Sequence, residues 1–336
     1  MIISKNIGNK IPKTLPGSNA KALKKLRLFQ KWLLPSLLAS EVLLFAILSP
    51  YFLTGENLHN IAINSIDLAL ISAGLTLVII VGGIDVSTGY AVGLTAWFIA
   101  NFQTLHFNPF LILLISLLVG AVIGLINGYL TARLSIPSIV ATLGTAAIYQ
   151  TLLFTLWGSE DLFTKPNLNL LSSNSNLGPI PSLVVIVVII YLILHLVLTR
   201  TKFGRFIFAI GSNLEAARLS GINIKLIRVS VSCILGLLIG LAACTYLARV
   251  GVVQASAGNE LTLLSIASVV VGGTSILGGE GSILRTLGGM LFIMILSNGI
   301  VLAGVPSLWN GLIIGTVILV AVSVNGIVVQ LEQRKD

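Results

Sequence analysis

The sequence predicts an all-α fold, a polytopic membrane helix bundle with about ten transmembrane helices. Composition is the first reason: 56% of the 336 residues are hydrophobic and only 9% are charged, whereas charged residues average about 25% in soluble domains. The mean hydropathy of +1.03 is the second. The third is a series of apolar stretches of roughly 20 residues, the length that crosses a hydrocarbon layer of about 30 Å.

Ten stretches meet this criterion of length. We predict spans at residues 32–52, 60–81, 88–105, 109–132, 137–157, 180–199, 227–249, 261–278, 284–304 and 308–329. The span 88–105 is short, 137–157 begins with Pro137, and 261–278 ends in a glycine cluster. Any of these three could be re-entrant rather than crossing, because irregular backbone at membrane depth is tolerated where protein surrounds it.

The basic residues predict the orientation of the spans, since Lys and Arg in short loops stay cytoplasmic. Residues 1–31 are basic and rich in Lys, Asn, Pro and Gly, which predicts a disordered cytoplasmic arm. Ten crossings from there place Arg133, the segment 200–228, Arg285 and the tail 331–336 on the same side. We therefore expect a transmembrane domain at 32–330 and both termini in the cytoplasm. The net charge of +9 then indicates topology and attraction to anionic lipid; it does not indicate nucleic-acid binding.

A glycine-rich segment at residues 82–87, with the sequence Gly-Gly-Ile-Asp-Val-Ser, follows the apolar run 68–81 directly. It places the carboxylate of Asp85 among helix-breaking residues at membrane depth or at the membrane edge. Such residues are usually functional or buried inside a bundle. Two roles remain open for Asp85: the cap of a helix that starts near Ser87, or a contact in a translocation path.

Other polar residues lie within the predicted spans. Asp67 shares one polar turn with Asn64 and Ser65, which makes Asn64 and Asp67 further candidates for the path. Glu41 lies in the first span and is at least as consistent with a packing contact between helices. Glycines recur at four-residue spacing, and this spacing predicts close helix packing in lipid. They are Gly120, Gly124 and Gly128 in one span and Gly311 with Gly315 in another.

A short amphipathic helix is predicted at residues 214–220, within the large loop 200–228. Asn213 precedes it as a plausible N-cap, and Gly221 follows it as a C-terminal stop. Glu215 and Arg218 are three residues apart and share a face. Two interpretations remain open: a helix that docks into a groove on a partner, or a solvated connector with a surface ion pair.

The sequence contains no phosphate-binding loop of the Gly-x-x-x-x-Gly-Lys-Ser/Thr type, no metal-ligand set and no nucleophile constellation. We therefore expect no enzyme activity and no cofactor or metal in this chain, and any nucleotide hydrolysis must come from another polypeptide. A proton-coupled secondary transporter is the alternative. It would usually need a relay of titratable groups, whereas His59, His106 and His195 are scattered along the chain.

Four sequence blocks resemble the ribose-type permeases of bacterial ABC sugar importers. They are residues 82–87, 136–145, 203–222 and 272–281, and their order and spacing hold over roughly residues 35–330. Within this family, the autoinducer-2 and rhamnose branch looks most similar. The features that carry this likeness are Glu41, residues 140–145, Gly304 to Pro306 and Trp309. Tyr90 departs from the usual small or aliphatic residue, so it could narrow the path or add a hydroxyl for a sugar.

The resemblance implies a permease in the bacterial cytoplasmic (inner) membrane that imports a sugar of the ribose, rhamnose or autoinducer-2 type. It implies three protein partners: an ATPase that binds ATP, a periplasmic or lipid-anchored sugar-binding protein, and a second permease subunit, identical or a sister chain. The family's loop for coupling to the ATPase corresponds to Gly211, Asn213, Glu215, Ala216, Ala217, Arg218 and Gly221. The path candidates are then Asn64, Asp67, Asp85, Ser87 and Tyr90.

Overall fold

The structure is a computed structural model that describes residues 17–104, 108–158, 162–163, 176–177, 180–306, 309, 311–317, 319–320 and 323. Its helices are α1 (Gly17–Leu48), α2 (Gly55–Asn64), α3 (Ile66–Ile80), α4 (Thr88–Thr104), α5 (Pro109–Ala132), α6 (Ser138–Trp157), α7 (Ser182–Arg200), α8 (Lys202–Ser212), α9 (Leu214–Leu219), α10 (Ile224–Val250), α11 (Asn259–Val271) and α12 (Ile283–Leu302). Four short strands pair antiparallel: β1 (Leu162–Phe163) with β4 (Val252–Val253), and β2 (Asn176–Leu177) with β3 (Ile180–Pro181).

The helices confirm a multi-pass membrane protein but not the predicted count of ten spans. Within the described residues, α5, α6, α7, α10 and α12 are long and apolar enough to cross a membrane. The pair α2 and α3 gives a sixth crossing if it acts as one span bent by 43°. Two further apolar helices, the part of α1 from Trp32 to Leu48 and α11, are shorter than these spans. The predicted cytoplasmic position of the termini is likewise not confirmed.

Two predicted spans have different boundaries in the structure. The span 60–81 is broken at Ser65, whose hydroxyl bonds the carbonyl oxygen of Ala62 at 2.8 Å between α2 and α3. The span 261–278 is wrong at its end, because α11 stops at Val271, where Gly272 caps the helix. Its 13 residues extend about 20 Å at 1.5 Å per residue, which is less than the hydrocarbon thickness of about 30 Å.

The N-terminal boundary also differs from the sequence expectation. Helix α1 begins at Gly17, so residues 17–31 are helical where a disordered arm was expected. The physical reason is composition: Ala, Leu, Lys and Arg dominate residues 20–28, and these residue types favour helix. Residues 1–16, most of the span 308–329 and the tail 331–336 lie outside the described residues.

Helix α3 forms the centre of the bundle. All of its residues from Ile66 to Ile80 are buried, and it packs against α7, α10, α11 and α12. A helix that is apolar all round is stable only when other helices surround it. The polar groups that the sequence singled out lie near the two ends of α3, at Asp67 and just beyond Ile80.

Helices α5 and α10 pack with their backbones in close contact, as the glycine spacing predicted. A Cβ on Gly120 would overlap the carbonyl oxygen of Gly236, and one on Gly124 would overlap that of Ser232. The same prediction is not supported for Gly311 and Gly315, where an added Cβ would meet no described atom within 4 Å.

The helices α3 and α11 end in the same way. In both, the amide of the second residue past the end bonds a carbonyl three residues back, and the next amide bonds one five residues back. The glycines at the turns are Gly82 (φ +85°) and Gly273 (φ +79°), in the left-handed region that favours glycine. The loop after α11 reaches the loop after α3, since a Cβ on Gly278 would lie 3.1 Å from the Cα of Gly82. Both glycine segments thus lie at the end of the bundle that carries α9.

Candidate functional site

The carboxylate of Asp85 lies in a closed hydrogen-bond network at the start of α4. Its side chain is buried at 4% exposure. Its Oδ1 accepts the backbone N–H of Ser87 at 2.8 Å and the Ser87 hydroxyl at 2.7 Å. Its Oδ2 accepts the amide of Asn127 in α5 at 2.9 Å, and the same Asn127 nitrogen donates to Ser87 Oγ at 2.8 Å. Asp85 thus forms a turn with Ser87 just before α4, which begins at Thr88. The first-turn N–H of Gly89 donates instead to Thr262 Oγ1 at 2.8 Å, so neither the cap nor a contact with solute is established for Asp85.

The backbone of the same segment is bonded to α6. The N–H of Ile84 donates to Ser138 Oγ at 3.1 Å, and the N–H of Val86 donates to Thr142 Oγ1 at 3.1 Å. Ser138 and Thr142 are four residues apart, so their hydroxyls lie on one face of α6. The blocks 82–87 and 136–145 therefore satisfy polar groups of each other inside the bundle.

A cavity of about 820 Å³ lies beside this segment. Its walls come from the glycine segment, the α5–α6 connection, α9 and the start of α10. The polar and charged residues of the lining are Asp85, Asn127, Thr131, Ser135, Ser138, Thr142, Glu215, Arg218, Asn223, Lys225, Arg228 and Ser232. Ligand pockets usually measure about 300–1,000 Å³. The cavity therefore has room for a small polar solute, and α9 forms part of its boundary.

A second polar cluster lies at the opposite end of α3. Asp67 is 1% exposed, and its carboxylate pairs with Arg249 Nη2 at 2.5 Å and accepts the Thr245 hydroxyl. Arg249 also donates to the Asn64 side chain at 3.3 Å. The sequence singled out Asn64 and Asp67 but not their partner. Since α3 is 15 residues long, the two clusters are separated by about 22 Å along its axis.

The remaining candidates lie apart from both clusters. Tyr90 is half-buried in the first turn of α4 and packs against the apolar core. Glu41 is 6% exposed in α1, which packs on α12. Neither carboxylate oxygen of Glu41 has a hydrogen-bond partner among the described residues. The structure thus brings Asp85 together with Ser87 and Asn64 together with Asp67, and leaves Tyr90 outside these groups.

The short helix predicted at 214–220 is confirmed as α9 (Leu214–Leu219). Asn213 Oδ1 accepts the N–H of Ala216 at 2.9 Å, and Gly221 has a φ of +76° just past the helix. Glu215 and Arg218 share a face, with side chains 73% and 74% exposed and a separation of 4.0 Å. A pair so exposed contributes little to stability. This helix is therefore a solvated element beside the cavity.

Buried polar networks inside a multi-helix membrane protein, a cavity beside them and an exposed short helix at its mouth define the class of membrane transport permeases. The comparison with known families agrees. Residues 57–322 match the family described as the permease component of the branched-chain amino acid transport system. The chain belongs to this family.

Relatives in several bacteria cover most of the chain. It is 36% identical to the ribose import permease protein RbsC of Escherichia coli over 89% of this chain and 96% of that protein. It is 34% identical to the autoinducer 2 import system permease protein LsrC of Photorhabdus luminescens, over 77% and 78% respectively. The D-allose transport system permease protein AlsC of Escherichia coli is 33% identical over 87% and 90%. No solved structure matches the chain. The resemblance to ribose-type permeases is therefore confirmed.

Proposed function

We propose that this protein is the membrane-spanning permease subunit of a bacterial ATP-binding-cassette importer, and that it brings a monosaccharide or sugar-like molecule into the cytoplasm across the inner membrane. Relatives that carry ribose, autoinducer-2 and allose permease names support the substrate class. The chain is similarly identical to all three relatives, at 33–36%, so the proposal names a class of sugar and not one member of it.

The observation that carries the proposal is the position of α9. Its charged pair, Glu215 and Arg218, is solvent-exposed and lines the cavity at the same time. A partner that binds α9 therefore also contacts the boundary of the cavity. We propose that this partner is a separate ATPase subunit, because the sequence contains no phosphate-binding loop of its own. The described residues contain no metal-binding cluster either.

The cavity is the proposed α9-side end of the translocation path. Asp85 and Ser87 act there by fixing the glycine segment against α5 and α6, since their hydrogen bonds are directed to each other and to Asn127. Asn64 and Asp67 hold the other end of α3 to α10 through Arg249. Tyr90 follows Ser87 by three residues, in the first turn of α4, and is proposed to narrow the path.

The proposed mechanism is alternating access. ATP binding closes the partner ATPase dimer, α9 moves with it, and the bundle changes which side its cavity faces. A partner shifts such an equilibrium only by its difference in affinity for the two states. A soluble or lipid-anchored binding protein delivers the sugar, and a second permease subunit, identical or a sister chain, completes the path.

Uptake by reconstituted proteoliposomes tests this proposal. Vesicles with the permease, its ATPase, its binding protein and internal ATP are expected to accumulate radiolabelled sugar, and omission of either partner is expected to abolish uptake. A collapsed proton gradient is expected to leave the rate unchanged. Uptake that needs neither partner and follows the proton gradient would instead establish a secondary transporter.

A further inference from the structure

Three segments of the chain meet through their backbones at the end of the bundle that carries α9. The N–H of Gly279 donates to the carbonyl oxygen of Ile80, the last residue of α3, at 2.9 Å. A Cβ on Gly211 in α8 would overlap both of these groups. We name this contact of Ile80, Gly211 and Gly279 the glycine junction. It joins the end of α3, the end of α8 and the loop 272–282 without intervening side chains.

The loop 272–282 has a fixed shape. The N–H of Ser275 donates to the carbonyl of Glu280 at 3.0 Å, and the N–H of Gly278 donates to that of Ser275 at 3.0 Å. Gly278 and Gly279 have φ values of +87° and +76°. A Cβ on Gly279 would lie 2.7 Å from the hydroxyl of Ser212, the residue that ends α8. The loop is therefore held beside the start of α9.

Leucine side chains project from both elements. Leu277, at the tip of the loop, is 75% exposed, and Leu219, at the end of α9, is 87% exposed. Charged residues that are also exposed accompany them: Glu280 in the loop, and Glu215 and Arg218 in α9. Charged side chains favour contact with water over lipid. Full burial of a leucine from water is worth about 1.5–3 kcal/mol. Single exposed leucines are common on protein surfaces, so what distinguishes these two is that they lie on elements that the glycine junction brings together.

We propose that the loop 272–282 is a second part of the surface on which the ATPase docks, with Leu277 and Leu219 as its two apolar contacts. This inference rests on the proposed function, which assigns α9 to the ATPase. The glycine junction makes the loop continuous with α9, so a protein that covers α9 also reaches the loop. The ATPase thus engages both elements as one surface, and its movement is transmitted to the end of α3 through the same junction.

The affinity of the purified ATPase for the permease in nanodiscs tests this inference. Leu277→Ala and Leu219→Ala are each expected to raise the dissociation constant about tenfold. Leu134→Ala is the matched control, because Leu134 is 53% exposed in the α5–α6 connection at the same end of the bundle. The control is expected to bind as the wild type does. Wild-type affinity in Leu277→Ala would overturn the inference and leave the proposed function standing, whereas a wild-type permease that binds no ATPase would overturn both.

An environment-sensitive fluorophore at Leu277→Cys separates a protein contact from a lipid contact. The label is placed in a background with Cys233→Ala and Cys244→Ala, the two free cysteines of the described chain. The emission is expected to shift to the blue only when the ATPase is added. A blue-shifted emission in nanodiscs without the ATPase would show that lipid covers the loop, and would overturn the inference.

Discussion

Asp85 and Asn127 are joined by a hydrogen bond of 2.9 Å between two side chains that are 4% and 2% exposed. The bond links the glycine segment to α5, near the C-terminal end of that helix. Both amide hydrogens of Asn127 are engaged, one by Asp85 and the other by Ser87. The wall of the cavity is therefore set by a side chain on α5, which lies 42 residues away in the chain.

Loss of the Asn127 amide is expected to destabilise this wall. Asn127→Leu leaves one oxygen of a buried carboxylate without its donor, at a cost of about 1–3 kcal/mol. The melting temperature in detergent measures this cost. Thr131→Ala is the control, one turn away on α5, because the Thr131 hydroxyl bonds only carbonyls of its own helix. Equal melting temperatures for the two variants would show that the network is not important for stability.

The pair Asp67 and Arg249 is expected to behave as a unit. Removal of one partner from a buried ion pair costs about 3–5 kcal/mol, and the lower end applies here because the Arg249 side chain is 23% exposed. Asp67→Leu and Arg249→Leu should each lower the unfolding free energy, and the double variant should lose less than the sum. A double-mutant cycle by denaturant unfolding measures the difference. Additive losses would contradict the pairing.

The exposed pair Glu215 and Arg218 on α9 is expected to contribute less to stability than the buried pair Asp67 and Arg249, and it also tests docking of the ATPase. Charge reversal by Glu215→Arg or Arg218→Glu is expected to change stability by less than about 1 kcal/mol, because the pair is solvated. Association with the ATPase is expected to fall while membrane insertion stays intact. The amount of permease in the membrane fraction measures insertion, and the amount of ATPase that co-purifies with it measures association. Unchanged association and uptake would remove α9 from the docking surface.

A methyl group in the glycine junction is expected to displace α9. Gly211→Ala places a Cβ against the Ile80 carbonyl and the Gly279 amide, and overpacking of this kind costs about 1–3 kcal/mol. Sugar-stimulated ATP hydrolysis by the assembled complex should fall, while hydrolysis by the ATPase alone is unaffected. The control is Gly144→Ala, where a Cβ meets no described atom within 4 Å. Full stimulation in Gly211→Ala would show that the junction does not position α9.

Local signals in the sequence predicted α9 well, whereas α8 lies in a segment predicted only as a loop. Asn213 and Gly221 bracket α9 because a cap and a left-handed stop act within one or two turns. The turn at Asp85 is equally local, since its carboxylate accepts the N–H of Ser87 two residues away. Such contacts are readable because their partners are close in sequence.

Long-range partners were not predictable in the same way. Arg249 is 182 residues from Asp67, and no spacing rule relates them. The break at Ser65 has no proline or glycine to mark it. The overestimate of ten full spans has a related cause: hydropathy shows where a chain is apolar, whereas the length of α11 is set by the glycine turn after Val271.

ATP hydrolysis by purified components is the measurement that tests the central claim most directly. The account predicts that the purified permease alone hydrolyses no ATP, and that sugar-loaded binding protein stimulates the ATPase only when the permease is present. Hydrolysis by the permease alone, or equal stimulation of the ATPase without it, would contradict the account.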